Sequence, residues 1–244
     1  MDKKIISLKN PALHLGQSVF RARLDAEDYV DMGLPSGTKW AASNLDIDTE
    51  SKLADSPFQY KCSFFSWGNV EGHNPLTETT FEYDFGNVNE AAPWYEGQPY
   101  GDTPGSTLVE DFTKIIEFDA ARSLLGDPWR TPKGSDFQEL INNTIYIDAD
   151  GNEVDTSISD KRVTVNDVKG IYLQSKINGN RLFFPASGYG YGSSWNYRGN
   201  YGRYWSSTFV SSRNAIRLSF LSGVVSPYNN GERCDGYPIR PVMN

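Results

Sequence analysis

The sequence predicts an α+β domain in which two short helices are followed by a curled antiparallel sheet, with much of the chain in loops. Three observations carry this. From about residue 160 the chain is a series of short β-rich runs, KRVTVN, GIYLQSKI, RLFFPAS, RYWSST, NAIRLSF and YPIRPV, separated by Asn-Gly, Gly-rich or Ser-Gly turns. Ahead of them lie two segments with helix start and stop signals. The composition, with 14 Tyr, 13 Phe, 6 Trp and 22 Gly among 244 residues, favours short strands and many turns over long helices.

Residues 1–27 are polar and aperiodic apart from a short apolar stretch around Val19 and Phe20, and read as an arm or attachment segment. Their positive cluster is followed by Lys9, Asn10 and Pro11, which interrupt the apolar run, so no cleavable signal peptide is expected. Residues 28–244 form the predicted domain. From Tyr29 to Leu45 the pattern alternates around a Leu-Pro-Ser-Gly turn, giving two short strands with Trp40 facing a core. Residues 46–106 are loop-rich, and such a length of irregular chain is either functional or pinned by its aromatics. In FDAARSLLG, Asp119 is a good N-cap and Gly126 supplies the left-handed position that ends the helix. In SDFQELINN, Ser135 and Gln138 have capping-box spacing, and Phe137, Leu140 and Ile141 form an apolar stripe. The first strands and the closing YPIRPV are expected to pair. The expected core is Trp40, Phe65, Trp67, Trp129, Phe137, Leu140, Phe183, Trp205, Leu218 and Phe220, with Trp195 as a further member.

Composition also excludes function classes. A formal net charge of -8 argues against nucleic acid or an anionic membrane as the main partner, since either needs a basic face to displace counterions. No segment approaches the roughly 20 apolar residues of a membrane span, so no membrane insertion is expected. Cys62 and Cys234 lie in dissimilar contexts and read as free thiols. His14 and His73 have no ligand-spaced partner, so neither a metal site nor a catalytic triad is written here. The loop holding Asp148, Asp150, Asn152 and Asp155 resembles a calcium loop, but Gly151 falls too early and no glutamate closes it; a solvated hairpin turn is expected. The acid-rich DIDTESKLAD reads as a solvated face.

The run SGYGYGSSWNYRGNYGRYW lacks the Lys-Ser/Thr of a phosphate-cradling loop. Aromatics and arginines on a turn-forming, glycine-rich backbone suit binding loops, where Tyr and Trp give contact area at low entropic cost. Tyr197, Arg198, Asn200 and Arg203 are the candidate contact residues in it.

The strings VDMGLPSGTKWAASN, FFSWGN, GDPWRTPKGSDFQELI, INGNRLFFPASGYG, GRYWSST and GYPIRPV, in this order, cover about residues 29–242. The chain thereby resembles a large set of gut-bacterial and phage proteins related to the Fibrobacter succinogenes major paralogous domain group. More distantly it is similar to the formylglycine-generating-enzyme type of C-type lectin fold. Many of those proteins, of the Bacteroides and phage type, end in the variable region of a diversity-generating retroelement, in which a reverse transcriptase copies a template repeat with errors at adenines.

The tail from about 191 to 242 looks like such a variable region. Its frame is WSST, Ala215, Leu218, Phe220, Ser222, Gly223, Pro227, Arg233, Gly236 and Arg240-Pro241-Val242. Between these stand Phe209, Val210, Arg213, Asn214, Arg217, Ser219, Leu221, Val224, Tyr228, Asn229, Asn230, Cys234, Asp235 and Tyr237, the remaining candidate ligand contacts, with Ile216 on the opposite strand face from Arg217 and Ser219. Randomising the adenines of Asn codons yields every one of those residue types and cannot yield Glu, so Glu232 needs a different starting codon.

The resemblance implies a non-enzymatic binding protein. The enzyme branch uses a cysteine pair for copper-dependent oxidation, and no two cysteines here stand in that context. The Glu-Pro-Asn or Gln-Pro-Asp and Trp-Asn-Asp strings of calcium-dependent sugar-binding lectins are also absent. No catalytic residue, cofactor or metal is therefore expected. The expected role is a phage receptor-binding or tail-tip adhesin on the virion, recognising a bacterial surface protein or glycan and joined to tail or fibre components through residues 1–27. A bacterial cell-surface or secreted adhesin of the same fold is the alternative, and an enzyme of the formylglycine-generating type a third. A homotrimer is the expected assembly, because fibre tips are often threefold.

Overall fold

The computed structural model describes residues 28–75, 116–155, 157, 160–192, 194–211 and 213–244. The arm at 1–27, His14 and the second half of the loop-rich segment lie outside them. The described residues are mostly β-structure with two short helices, an α+β arrangement. Its strands do not form one curled sheet. Small antiparallel sheets of two to four strands are assembled instead, many of their strands only two or three residues long.

β1 (Tyr29–Asp31) and β2 (Lys39–Ala41) form the expected hairpin, with Gly37 at φ +76° closing the turn onto the Leu34 carbonyl at 2.8 Å. The first helix, α1 (Ala120–Leu125), starts on Asp119 as read from the sequence. The Asp119 carboxylate is buried and accepts from the Ala121 amide at 3.1 Å and from the Thr131 amide and hydroxyl at 2.9 and 2.7 Å. It therefore caps the helix and ties it to the end of β3 (Trp129–Arg130) at once. The second helix, α2 (Gly134–Asn142), starts two residues earlier than the capping-box reading, with Lys133 and not Ser135 at the N-cap. Ser135 is exposed, and the reciprocal contact is made by Asp136, whose Oδ2 accepts from the Lys133 amide at 2.7 Å and from Arg130 at 2.6 Å. A carboxylate is a stronger acceptor than a hydroxyl at a helix start, and the Arg130 ion pair holds this one in place, which is why Asp136 takes that role.

The closing strand is short: β13 (Val242–Met243) pairs with β2 on one side and β3 on the other. The chain ends thus meet as expected, while Tyr237 bridges to Phe65 instead of extending that ladder. β4 (Thr144–Tyr146), β5 (Val163–Val165), β6 (Val168–Ser175) and β7 (Arg181–Pro185) form a second sheet. The acidic loop between β4 and β5 is a hairpin turn, with Asp148 accepting from the amides of Asp150 and Asn152, both at 2.9 Å. β8 (Tyr189–Tyr191) and β9 (Ser194–Asn196) form a small ribbon.

The sheet that matters most is β10 (Gly202–Phe209), β11 (Asn214–Leu221) and β12 (Val224–Glu232). It lies between two apolar clusters. On one face Tyr204, Leu218 and Phe220 pack with Phe137 and Leu140 of α2 and with Trp40. On the other, Trp205 and Ala215 pack with Phe65, Trp67, Trp129 and Tyr237. Strand alternation sends Tyr204 and Trp205 to opposite clusters, so both faces of one sheet are core over part of its length. All ten residues of the expected core are buried, although Phe183 belongs to a third cluster with Val165 and Val168. Trp195 is only half-buried, with its ring 5.2 Å from Phe64. The loop from 46 to 75 is pinned by its aromatics, since Phe64, Phe65 and Trp67 are all buried in it.

Candidate ligand-binding cleft

The cleft is built on the Trp205 face of β10–β12. Residues 203, 205, 215, 217 and 219 share that face by register, with Arg203 opposite Ser219 and Trp205 opposite Arg217. Ala215 and Trp205 fill the core end of the face, while the long side chains of Arg203 and Arg217 rise beside them. Gly231, opposite Ala215, leaves the space that the Tyr237 and Trp205 rings occupy; a Cβ there would lie 2.7 Å from Tyr237 and 2.9 Å from Trp205. Tyr237 packs on Trp205 with ring centroids 4.2 Å apart and brings its hydroxyl up between the arginines.

The result is an open recess of about 270 Å³ walled by Tyr189, Tyr191, Asn214, Asn230 and Glu232, with Arg203, Arg217, Asp235 and Tyr237 at its floor. Arg217 donates to the Tyr237 hydroxyl at 2.8 Å and Arg203 does so at 3.5 Å. The hydroxyl in turn donates to Asp235 Oδ2 at 2.6 Å. Arg203 also sits over Tyr189, its Cζ 3.6 Å from the ring centroid, a cation–π contact that fixes the guanidinium without consuming its donors. Charges of both signs and aromatic faces therefore converge on one small volume. Such a floor suits a polar ligand that presents donors and acceptors together.

Burial sets the electrostatics. Desolvation pushes the Asp235 carboxyl up to about 6, with Glu232 adding to the rise and Tyr237, Arg203 and Arg217 opposing it. Tyr237 is raised well above the ordinary phenol range, first by burial and then by Asp235, so its proton stays in place. Because the folded-state value of Asp235 exceeds its ordinary 3.8, the folded protein holds this proton more tightly than the unfolded chain. That stabilisation is complete below about pH 4 and is lost as pH rises through about 6. It amounts to roughly 2–3 kcal/mol at 1.36 kcal/mol per unit. Asp235→Asn should flatten this loss in urea melts run between pH 4 and 7.5 with EDTA present. An unchanged pH profile would show that Asp235 does not carry it.

Of the residues singled out in the sequence, Arg203, Asn214, Arg217, Asn230, Asp235 and Tyr237 come together in this cleft. Asn229 is half-buried beside it, with its side-chain oxygen 3.4 Å from Arg217. Tyr197, Arg198 and Asn200 are exposed on the turn after β9; Tyr197 stacks on Tyr189, and Arg198 lines a second recess of about 220 Å³ with Phe64, Tyr189 and Trp195. Val210 and Arg213 are exposed at the β10–β11 turn, with Phe209 half-buried beside Trp67. Leu221 and Val224 are the pair that closes the Ser222-Gly223 turn at the other end of the β11–β12 hairpin. Tyr228 is exposed on β12 and reaches over Gly134 of α2. Cys234 is half-buried next to the cleft wall, and both cysteines are free thiols.

Three candidates are not exposed contact residues. Ser219 and Asp235 are 5% and 3% exposed, and Tyr237 is fully buried. Ser219 lies in the ladder between Arg203 and Ser226, and Asp235 and Tyr237 offer a ligand only their polar tips at the cleft floor. Replacing Tyr237 therefore disturbs the core as well as the surface. Ile216, on the opposite strand face, is buried against α2. Tyr189, Tyr191 and Glu232 belong to the cleft and were not singled out. The Gly-aromatic run contains both tyrosines, but nothing in its spacing says which aromatics face a recess. The Asn-codon pattern set Glu232 aside.

A family model described as a domain of unknown function (DUF8237) matches residues 152–242. The matched region runs through β5–β12 and contains every cleft residue. No curated protein and no solved structure matches the chain.

Proposed function

We propose that this chain is a non-enzymatic binding protein with a C-type-lectin-like fold of the formylglycine-generating-enzyme type, which displays a diversified surface for recognising a bacterial surface protein or glycan. The setting that fits best is a phage receptor-binding or tail-tip adhesin. One observation carries the reading. In the tail, the frame residues Ala215, Leu218, Phe220, Arg233, Gly236, Arg240 and Val242 are all buried, with Ser222, Gly223 and Pro227 at or near the β11–β12 turn, whereas most of the heterogeneous residues between them are exposed or half-exposed, Asn214, Arg217 and Asn230 of them at one cleft. A surface that must change its contacts without refolding needs this division, because substitutions away from the core rarely cost more than about 0.5 kcal/mol. The cysteines agree with a binding role, since burial pushes the Cys62 thiol up to about 11, which suits a structural residue better than a nucleophile.

The neighbouring DNA tests the diversification. A near-copy of the segment encoding roughly Tyr191 to Val242 should lie close by with a reverse-transcriptase gene, and its mismatches should fall at template adenines in codons such as those of Tyr197, Arg213, Tyr228 and Asn230. Mismatches spread over the codons of Trp205 and Phe220, or no repeat at all, would remove the claim. The docking face is tested on the same protein: Tyr191→Ala with Asn230→Ala should abolish binding of labelled protein to the host bacterium's cells while the melting temperature hardly moves.

A further inference from the structure

We propose that Glu232, Cys234 and Asp235 bind a divalent transition-metal ion, Zn²⁺ or an ion of similar softness, at the wall of the cleft. The three residues sit on a turn closed by the Asp235 amide donating to the Glu232 carbonyl at 3.0 Å, and their carboxylate and sulfur atoms all lie within 4.8 Å of one another. Ligand atoms of a tetrahedral zinc site lie roughly 3.3–3.7 Å apart, so side-chain rotation has to draw these atoms together by up to about 1 Å.

An independent observation points to an occupant. Asp235 is 97% buried; its Oδ2 takes the Tyr237 hydroxyl, and its Oδ1 is sealed from water with no hydrogen-bond donor. Oε2 of Glu232 is in the same condition. Two buried acceptors without donors are costly to leave bare, and a small cation satisfies both. Burial pushes the Cys234 thiol up to about 12, and the neighbouring Asp235 and Glu232 charges add to the rise. A bound cation neutralises the two carboxylate charges and stabilises the buried thiolate directly: the thiol proton leaves to solvent as the sulfur–metal bond forms.

Charge balance supports the same ion class. Three anionic ligands and a dication leave one net negative charge, which Arg213, 3.6 Å from Glu232 Oε1, and the Arg203–Arg217 pair offset. With the thiol still protonated, the two carboxylates would only balance the dication and the arginines would leave a net positive field, so the thiolate favours binding. Sulfur among only three donors disfavours Ca²⁺ and Mg²⁺, which demand six or more oxygens. Three protein ligands leave a fourth tetrahedral position, and Glu232 and Asp235 both line the cleft, so that position is available to water or to a ligand's donor atom.

The full chain, stripped with EDTA and kept reduced, is titrated with Co²⁺. The expected result is saturation at one equivalent with a near-ultraviolet sulfur-to-cobalt charge-transfer band, displaced by Zn²⁺. Cys234→Ser should lose the band, Cys62→Ser should keep it, and Asp235→Asn should weaken binding by about tenfold or more, the factor that 1.4 kcal/mol of lost donor energy represents. Protection of Cys234 from alkylation by Zn²⁺ in the unaltered protein gives a readout that does not depend on a variant folding. Folded protein that shows no charge-transfer band, or a band that follows Cys62 instead of Cys234, overturns the proposal.

Discussion

Arg240→Ala should be among the most destabilising single substitutions in this protein, lowering unfolding free energy by about 4–5 kcal/mol. Arg240 is fully buried, and among the described residues no carboxylate pairs with it. Its charge is met instead by oxygen dipoles: Nε donates to Asn44 Oδ1 at 2.7 Å, Nη1 to the Ala41 and Ala42 carbonyls at 3.2 and 2.6 Å, and Nη2 to the Phe183 carbonyl at 2.9 Å. Burial lowers its pKa to about 10, so it remains a cation at neutral pH. Truncation would leave three carbonyls and an amide oxygen without donors at about 1–3 kcal/mol each, with partial recovery through water entering the void. Since the fork ties β2, β7 and the closing segment together through buried charge-assisted bonds, Arg240→Lys should recover part of the loss and Arg240→Met little of it. Urea denaturation checks this, and a shift below about 1 kcal/mol for Arg240→Ala would show that the fork is dispensable.

The second large effect is expected at Trp205. Its ring is buried in the cluster under the cleft, and its Nε1 donates to the Phe65 carbonyl at 2.7 Å. Removing it in Trp205→Ala should cost about 3–5 kcal/mol, the usual range for a large aromatic in a packed core. In a chain of this size that lowers the melting temperature by roughly 10 °C. The cleft should suffer too. Tyr237 rests on Trp205 and carries the hydroxyl that joins Arg203, Arg217 and Asp235, so losing the platform loosens all four groups. Trp205→Phe retains much of the contact area but not the donor, and should fall between the two proteins. A Trp205→Ala melt matching that of the unaltered protein would mean that the two clusters do not depend on the ring.

Local chemistry explains which elements were legible. The α1 helix could be read because Asp119 and Gly126 act within their own turns, and the ten core residues because large aromatics in β-rich runs rarely stay in water. β12 was not legible. It contains Pro227 and Gly231 and no apolar alternation, and it exists because it pairs along the edge of β11. The register slips by one residue between the Arg217–Asn229 and Ser219–Ser226 pairs, which accommodates the proline at a bulge on an edge strand. The start of α2 moved from Ser135 because Arg130, six residues from Asp136, decides which acceptor is already charged and oriented.

By itself, the sequence determined the α+β class, the free thiols, the identity of the buried aromatics and the region in which polar and aromatic residues gather near the end of the chain. These depend on composition, short-range turn chemistry and alternation, all of which act over a few residues. The tertiary structure alone decided that β10–β12 has core on both faces, that Tyr237 is a buried pillar instead of a surface contact, and that Glu232, Cys234 and Asp235 surround two acceptors without donors. Those outcomes depend on which side chains from distant strands cover a given atom. Strand pairing brings Arg203, Arg217 and Asp235 around one hydroxyl, and solvent is excluded there only after both clusters have packed.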